Sequence, residues 1–130
     1  MGCDIHAVIE VKRPGDRWRV CKELDSGEIL RDYQFFGALV RDHARTRDVV
    51  GRFPGRGVPP DFSGCVESLL GDHTYSWLTP EEWLQCVEDY EREDPNPSKK
   101  WREVARYFGE GWGLRHSAAD EFRIVFGFDS

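Results

Sequence analysis

The hexamer Met1-Gly2-Cys3-Asp4-Ile5-His6 places an acid and an imidazole two residues apart. On a β-strand such a pair leaves one face about 6 to 7 Å apart at the backbone, near enough to close on a single ion. A second acid–imidazole pair, Asp72-His73, lies in GDHTYSW. Asp4, His6, Asp72 and His73 are therefore candidate ligands for a divalent metal, zinc or manganese. Its bound water would be the nucleophile of a phosphoesterase-like hydrolase. The competing expectation is a solvated polar face, which antiparallel sheets commonly carry.

The arginines offer a different chemistry. Residues 41 to 57 hold Arg41, Arg45, Arg47, Arg52 and Arg56 against Asp42 and Asp48, a local +3 that leaves −9 on the rest of a chain whose formal net charge is −6. Guanidinium groups beside glycines, where backbone N–H groups can approach a ligand, suit phosphate. Arg31, Arg52, Arg56, Gly57, Asp61, Ser76 and Trp77 are the candidate contacts for a small phosphorylated, nucleotide-derived ligand. Trp77, Tyr75 and Trp112 are the aromatics that could stack on its ring. The alternative for these arginines is pairing with the surplus acids elsewhere. The overall negative charge disfavours general binding to nucleic-acid backbones.

Such side chains need elements to hold them. Residues 3 to 11 alternate, with Cys3, Ile5, Ala7, Ile9 and Val11 on one face and Asp4, His6, Val8 and Glu10 on the other. Pro14-Gly15 makes a turn, and DRWRVCKEL continues the alternation through Trp18, Val20 and Leu24. A hairpin centred there sets Glu23 opposite His6, Asp25 opposite Asp4 and Arg19 opposite Glu10. EFRIVFGFDS reads as a third strand; beside the first, it brings Asp129 near Asp4 and leaves Gly127 as a gap between side chains.

Helices are expected between these strands. Asp32 can cap a short one carrying Phe35, Phe36, Leu39 and Val40. Thr79-Pro80-Glu81-Glu82 is a capping box with proline at the first helical position, opening a helix to about Glu93, where Asp94-Pro95-Asn96-Pro97 breaks it. Ser98 caps another, with Trp101, Val104, Ala105 and Phe108 on one stripe and Gly109 as the stop. Residues 43 to 78, rich in glycine and proline, read as a long irregular connection with a helical turn near Val66 to Leu70. The fold class is α+β: a small antiparallel sheet, the N-terminal hairpin plus the C-terminal strand, with one face covered by three or more helices.

The chain of 130 residues fits one globular domain, 1–130. No apolar run approaches the roughly 20 residues of a membrane helix, and the start lacks a secretory pattern, so a cytoplasmic address without membrane partners is expected. Cys3, Cys21, Cys65 and Cys86 form no C-x-x-C pair and are expected to be reduced. Met-Gly-Cys lacks the serine or threonine that a myristoylation signal places at the sixth position, which here is His6. Phosphate-binding P-loop, nucleophile-elbow and H-E-x-x-H motifs are absent from the sequence. A D-x-H on an early strand is similar to the start of a calcineurin-like metallophosphoesterase site, but the chain lacks that family's length and further motifs.

Taken together, MGCDIH, RDY with its following aromatics, RGVPPDFS, DHTYSWLTPEE and FRIVFGFDS resemble a family of small proteins, with no assigned activity, encoded by bacteriophages and bacteria. The resemblance spans nearly the whole chain. It implies a phage-linked accessory protein, acting in the host cytoplasm, for which capture of a host nucleotide signal is a fitting role. Three functions follow as expectations: a module binding a small phosphorylated ligand, a metal-dependent hydrolase, and an acidic module that engages a basic host protein. A homo-oligomer is compatible with each.

Overall fold

The alternation at the start of the chain produces β1 (Asp4–Lys12), whose apolar series Ile5, Ala7, Ile9 and Val11 is buried. The structure is a computed structural model and describes residues 4–24, 32–41, 51–94, 96–97, 100–104 and 120–129. With β2 (Arg19–Leu24), β3 (His73–Leu78) and β4 (Glu121–Asp129), β1 forms a four-stranded antiparallel sheet of order β2-β1-β4-β3. The two central strands come from opposite ends of the chain. Their register sets Asp4 opposite Asp129 and His6 opposite Gly127, as the alternation implies.

One sheet face is largely apolar and is covered by helices. Phe122, Ile124, Phe126 and Phe128 of β4 join the β1 series against α1 (Tyr33–Leu39), α3 (Pro80–Glu93) and α4 (Lys100–Val104). The capping signals are realised as the sequence implies. The Asp32 carboxylate accepts from the Phe35 N–H at 3.2 Å, and Thr79 and Glu82 close a reciprocal capping box around Pro80. Asp32 also accepts from the Tyr90 hydroxyl at 2.7 Å and the Trp101 indole at 3.3 Å, so one N-cap ties three helices together. Phe35 stacks on Trp101 and meets Trp83 and Tyr90 edge-on. Ser98 and the stripe beyond Val104 lie outside the described residues, as do Arg31, Cys3, Asp25 and Trp112.

Three expectations change. First, the 43–78 connection is not irregular to its end: besides the helical turn α2 (Val66–Leu69), it supplies the edge strand β3. Second, the hairpin register differs from one centred on the Pro14-Gly15 turn. Glu23 lies opposite Val8, not His6, and Arg19 lies opposite Val11, not Glu10. A bulge intervenes where Ile9 pairs with Lys22 but Glu10 pairs with Val20, leaving Cys21 without a counterpart. That extra residue reverses the phase of β2, so Leu24 is buried while Val20 is 36% exposed.

Third, the other sheet face is not an open polar surface. Val8 and Val125 form a second apolar cluster with Leu70, against which Val58, Phe62, Val66, Leu69, Tyr75 and Trp77 pack. The chain crosses this face closely at Gly127, where an added Cβ would lie 2.0 Å from the Leu70 carbonyl oxygen and 2.7 Å from the Tyr75 ring. No helix among the described residues is long and apolar enough to cross a membrane. Gly127→Ala is expected to lower the unfolding free energy by about 1–3 kcal/mol, because the backbone of the covering segment cannot yield as a side-chain tip would. A urea titration showing an unchanged midpoint would remove this account of the close approach.

Candidate functional site

Arg52 and Arg56, the described arginines among the candidate contacts, are each engaged by a carboxylate of the chain. The Arg56 guanidinium lies over two aromatic rings, 4.7 Å from the Trp77 centroid and 5.2 Å from that of Phe53. It donates both terminal nitrogens to the Glu82 carboxylate, at 2.7 and 2.6 Å, and one of them to the Trp77 carbonyl at 3.1 Å. Ser76 accepts the Arg56 backbone N–H at 3.1 Å, and Gly57, at φ 77°, donates its N–H to the Tyr75 carbonyl. Arg52 makes a second two-point pair, with Asp89 at 2.9 and 2.7 Å. Asp61 faces a third guanidinium, that of Arg123, at 3.0 Å. Arg52, Arg56, Gly57, Ser76 and Trp77 thus form one strut system joining the loop to β3 and α3. Geometry of this kind is what charge-assisted, forked arginine pairs provide.

These pairs set the charge state of α3. The Arg56 side chain holds the Glu82 carboxyl below its ordinary value, working against burial, and Arg52 does the same for Asp89. Burial acts the other way on the thiols, pushing Cys86 up to about 12 and Cys21 up to about 11. Both thiols are therefore neutral and poor nucleophiles.

The expected metal ligands divide between the two faces of the sheet. His6 and Asp129 meet on the face opposite the helices, with His6 Nε2 2.5 Å from Asp129 Oδ2 and both side chains about two-fifths exposed. Asp4 lies directly across from Asp129. This follows from the gap at Gly127, which lets the imidazole opposite it lean toward the next residue of β4 with the same facing. Gly71, at φ 74°, brings the loop against the same ring: an added Cβ would stand 3.0 Å from His6 Cδ2. His73, by contrast, stacks at 6.3 Å on Phe128, whose ring belongs to the helix-covered core, and its Nδ1 lies 2.7 Å from the Thr74 hydroxyl. Asp72 is tied through its backbone N–H to the Phe128 carbonyl and lies 3.8 Å from His73 Nε2. Among the described residues, no three histidine, cysteine or acidic side chains converge to hold a metal ion.

A different concavity emerges around residues of which only Trp77 is a contact expected from the sequence. Glu10 has no exposed surface and Arg123 is 5% exposed; they face each other across β1 and β4 and pair at 2.6 Å. The second Glu10 oxygen accepts from the Ser63 backbone N–H at 2.9 Å and its hydroxyl at 2.5 Å. Arg123 lies 4.0 Å over the Trp18 ring, at the wall of a cleft of about 440 Å³. The remaining walls are Trp77, Phe122, Thr79, Pro80 and the acids Glu81, Asp120 and Glu121. Two indole rings, the exposed carboxylates of Glu81 and Glu121 and a guanidinium already satisfied by Glu10 and Asp61 make a recess suited to a cation.

The sequence signal for this site was weak. Glu10 and Arg123 are the charged residues within the otherwise apolar runs AVIEV and FRIVFGF, and a charge placed among buried positions implies a partner. Strand alternation alone groups Trp18 with Val20 and Leu24 and does not mark it as a cleft wall. Comparison of the chain with protein-family models, with curated proteins and with solved structures finds no match.

Two stability outcomes follow. Arg123→Met, which strands a buried carboxylate, is expected to cost about 3–5 kcal/mol, whereas the double change Glu10→Leu/Arg123→Met recovers most of that loss in urea unfolding. Equal losses in the two variants would show that the pair itself is not what matters. Because the folded values of Glu82 and Asp89 lie below their unfolded ones, their contribution is complete above the ordinary carboxylate range, 4.5 and 3.8, and is lost as pH falls through the depressed values. Glu82→Gln should therefore lower stability by about 1–2 kcal/mol at neutral pH and flatten the acid limb of stability against pH.

Proposed function

We propose that the protein is an acidic binding module that engages a basic segment of a partner protein, seating a lysine or arginine side chain between Trp18 and Trp77. The observation that carries this reading is the lining of the 440 Å³ cleft, in which Glu81, Asp120 and Glu121 stand beside two indole rings. A cation entering it gains cation–π attraction from the rings and ion pairing from the exposed Glu81 and Glu121, while the Arg123 charge is already balanced. The formal net charge of −6 adds long-range attraction for basic partners and raises the rate of encounter.

The phosphate reading at the 52–61 loop has less support. An incoming phosphate there must displace Glu82 from Arg56 or Asp89 from Arg52, breaking bonds that also anchor the loop to α3. A hydrolase built on Asp4, His6, Asp72 and His73 would need ligands that stand on opposite faces of the sheet to meet.

Calorimetric titration with a short lysine- and arginine-rich peptide tests the proposal. Binding is expected at low ionic strength, weakening as salt is added, with the Trp18 and Trp77 indole resonances shifting. Glu81→Gln/Glu121→Gln, which changes two exposed positions, should weaken it roughly two- to fivefold. An acidic peptide or a nucleotide shifting the same indoles, with the basic peptide inert, would overturn the assignment.

A further inference from the structure

The β1–β2 turn carries a second concavity of the opposite sign. Lys12, Arg13, Arg17 and Arg19 surround Asp16 in a chain that is otherwise strongly acidic. Arg13, Arg17 and Arg19 line a recess of about 210 Å³ with Asp16, over a floor of Val11, Val20 and Cys21. These arginines differ from those of the 52–61 loop. Arg52, Arg56 and Arg123 are each matched to a carboxylate at hydrogen-bond distance, whereas among the described residues neither the Arg13 nor the Arg17 guanidinium makes an ion pair. Asp16 is engaged elsewhere, accepting from the Arg17 backbone N–H at 2.8 Å and, at 3.4 and 3.5 Å, from Arg19.

The floor supplies an independent observation. Val20 is the exposed large hydrophobic residue among the described residues, turned out of the core by the bulge at Cys21, and it lies in this recess. The Cys21 thiol beneath stays protonated, since burial raises it to about 11, so the floor adds no negative charge. A recess with two uncommitted guanidinium groups above an apolar patch matches a ligand with a doubly charged head and an apolar body.

We propose that this turn is a binding site for an organic phosphate, with the phosphoryl head held by Arg13 and Arg17 and an aromatic or aliphatic body resting on Val20. The site lies apart from the 52–61 loop and shares no lining residue with the acidic cleft, so either assignment can fail without the other.

The test is a titration of the full chain with phenyl phosphate, inorganic phosphate and benzoate, followed by amide resonances of residues 12–21. Phenyl phosphate is expected to bind roughly five- to tenfold tighter than inorganic phosphate, through the apolar contact, and tighter than benzoate, through the second charge. Arg13→Ala/Arg17→Ala should weaken both phosphates by about tenfold or more without changing the thermal midpoint. Val20→Thr should remove the advantage of the phenyl group and leave inorganic phosphate unaffected. Equal binding of the three probes, or binding that survives the loss of both arginines, would overturn the proposal; so would shifts confined to residues outside the turn.

Discussion

A carboxylate with no exposed surface has to be matched where it lies, and Glu10 sits in the middle of the sheet. Arg123 meets it from the adjacent strand, directly opposite, and Ser63 completes its hydrogen bonds. The arrangement penalises any slip of β1 against β4, since a shift of one residue would turn one of the two charges toward the helix-covered core and leave the other buried without its partner. It also fixes what crosses the other face. Ser63 and Asp61 are drawn to the pair, and the segment from Val58 to Leu70 closes over Val8 and Val125. One polar interaction thereby specifies register and seals a second small core.

The same economy governs the remaining arginines. In an acidic chain, a guanidinium near a carboxylate-bearing helix is more strongly held by the protein than by a passing anion. Arg52 and Arg56 therefore act as struts between the loop and α3. Their rings and partners are shared: Glu82 both closes the α3 capping box and receives Arg56, and Trp77 both lies under that guanidinium and walls the cleft. Scaffold and cleft wall are thus built from the same residues, and the exposed acids Glu81 and Glu121 stand at the cleft beside them.

The hairpin arm divides the charge. Trp18 belongs to the acidic cleft, while its chain neighbours Arg17 and Arg19 belong to the basic recess. The bulge at Cys21 is what exposes Val20 there. Two concavities of opposite charge thereby adjoin the same hairpin.

The elements were legible from the residues because their signals are local. The period of two in β1 and β4, the Asp32 and Thr79 caps, and the end of α3 before Pro95 each depend on neighbours a few residues apart, so sequence spacing determines them. The contact of His6 with the end of β4 was also within reach, since Gly127 marks a gap in an otherwise regular alternation. The pairing of Arg56 with Glu82, the placing of His73 on the Phe128 face, the covering of the second sheet face and the cleft at Trp18 were not. Each depends on where a long connection returns to the sheet, or on one extra residue in β2 that inverts its phase. Those outcomes are settled by competition among distant partners for buried positions, a balance that only the assembled structure resolves.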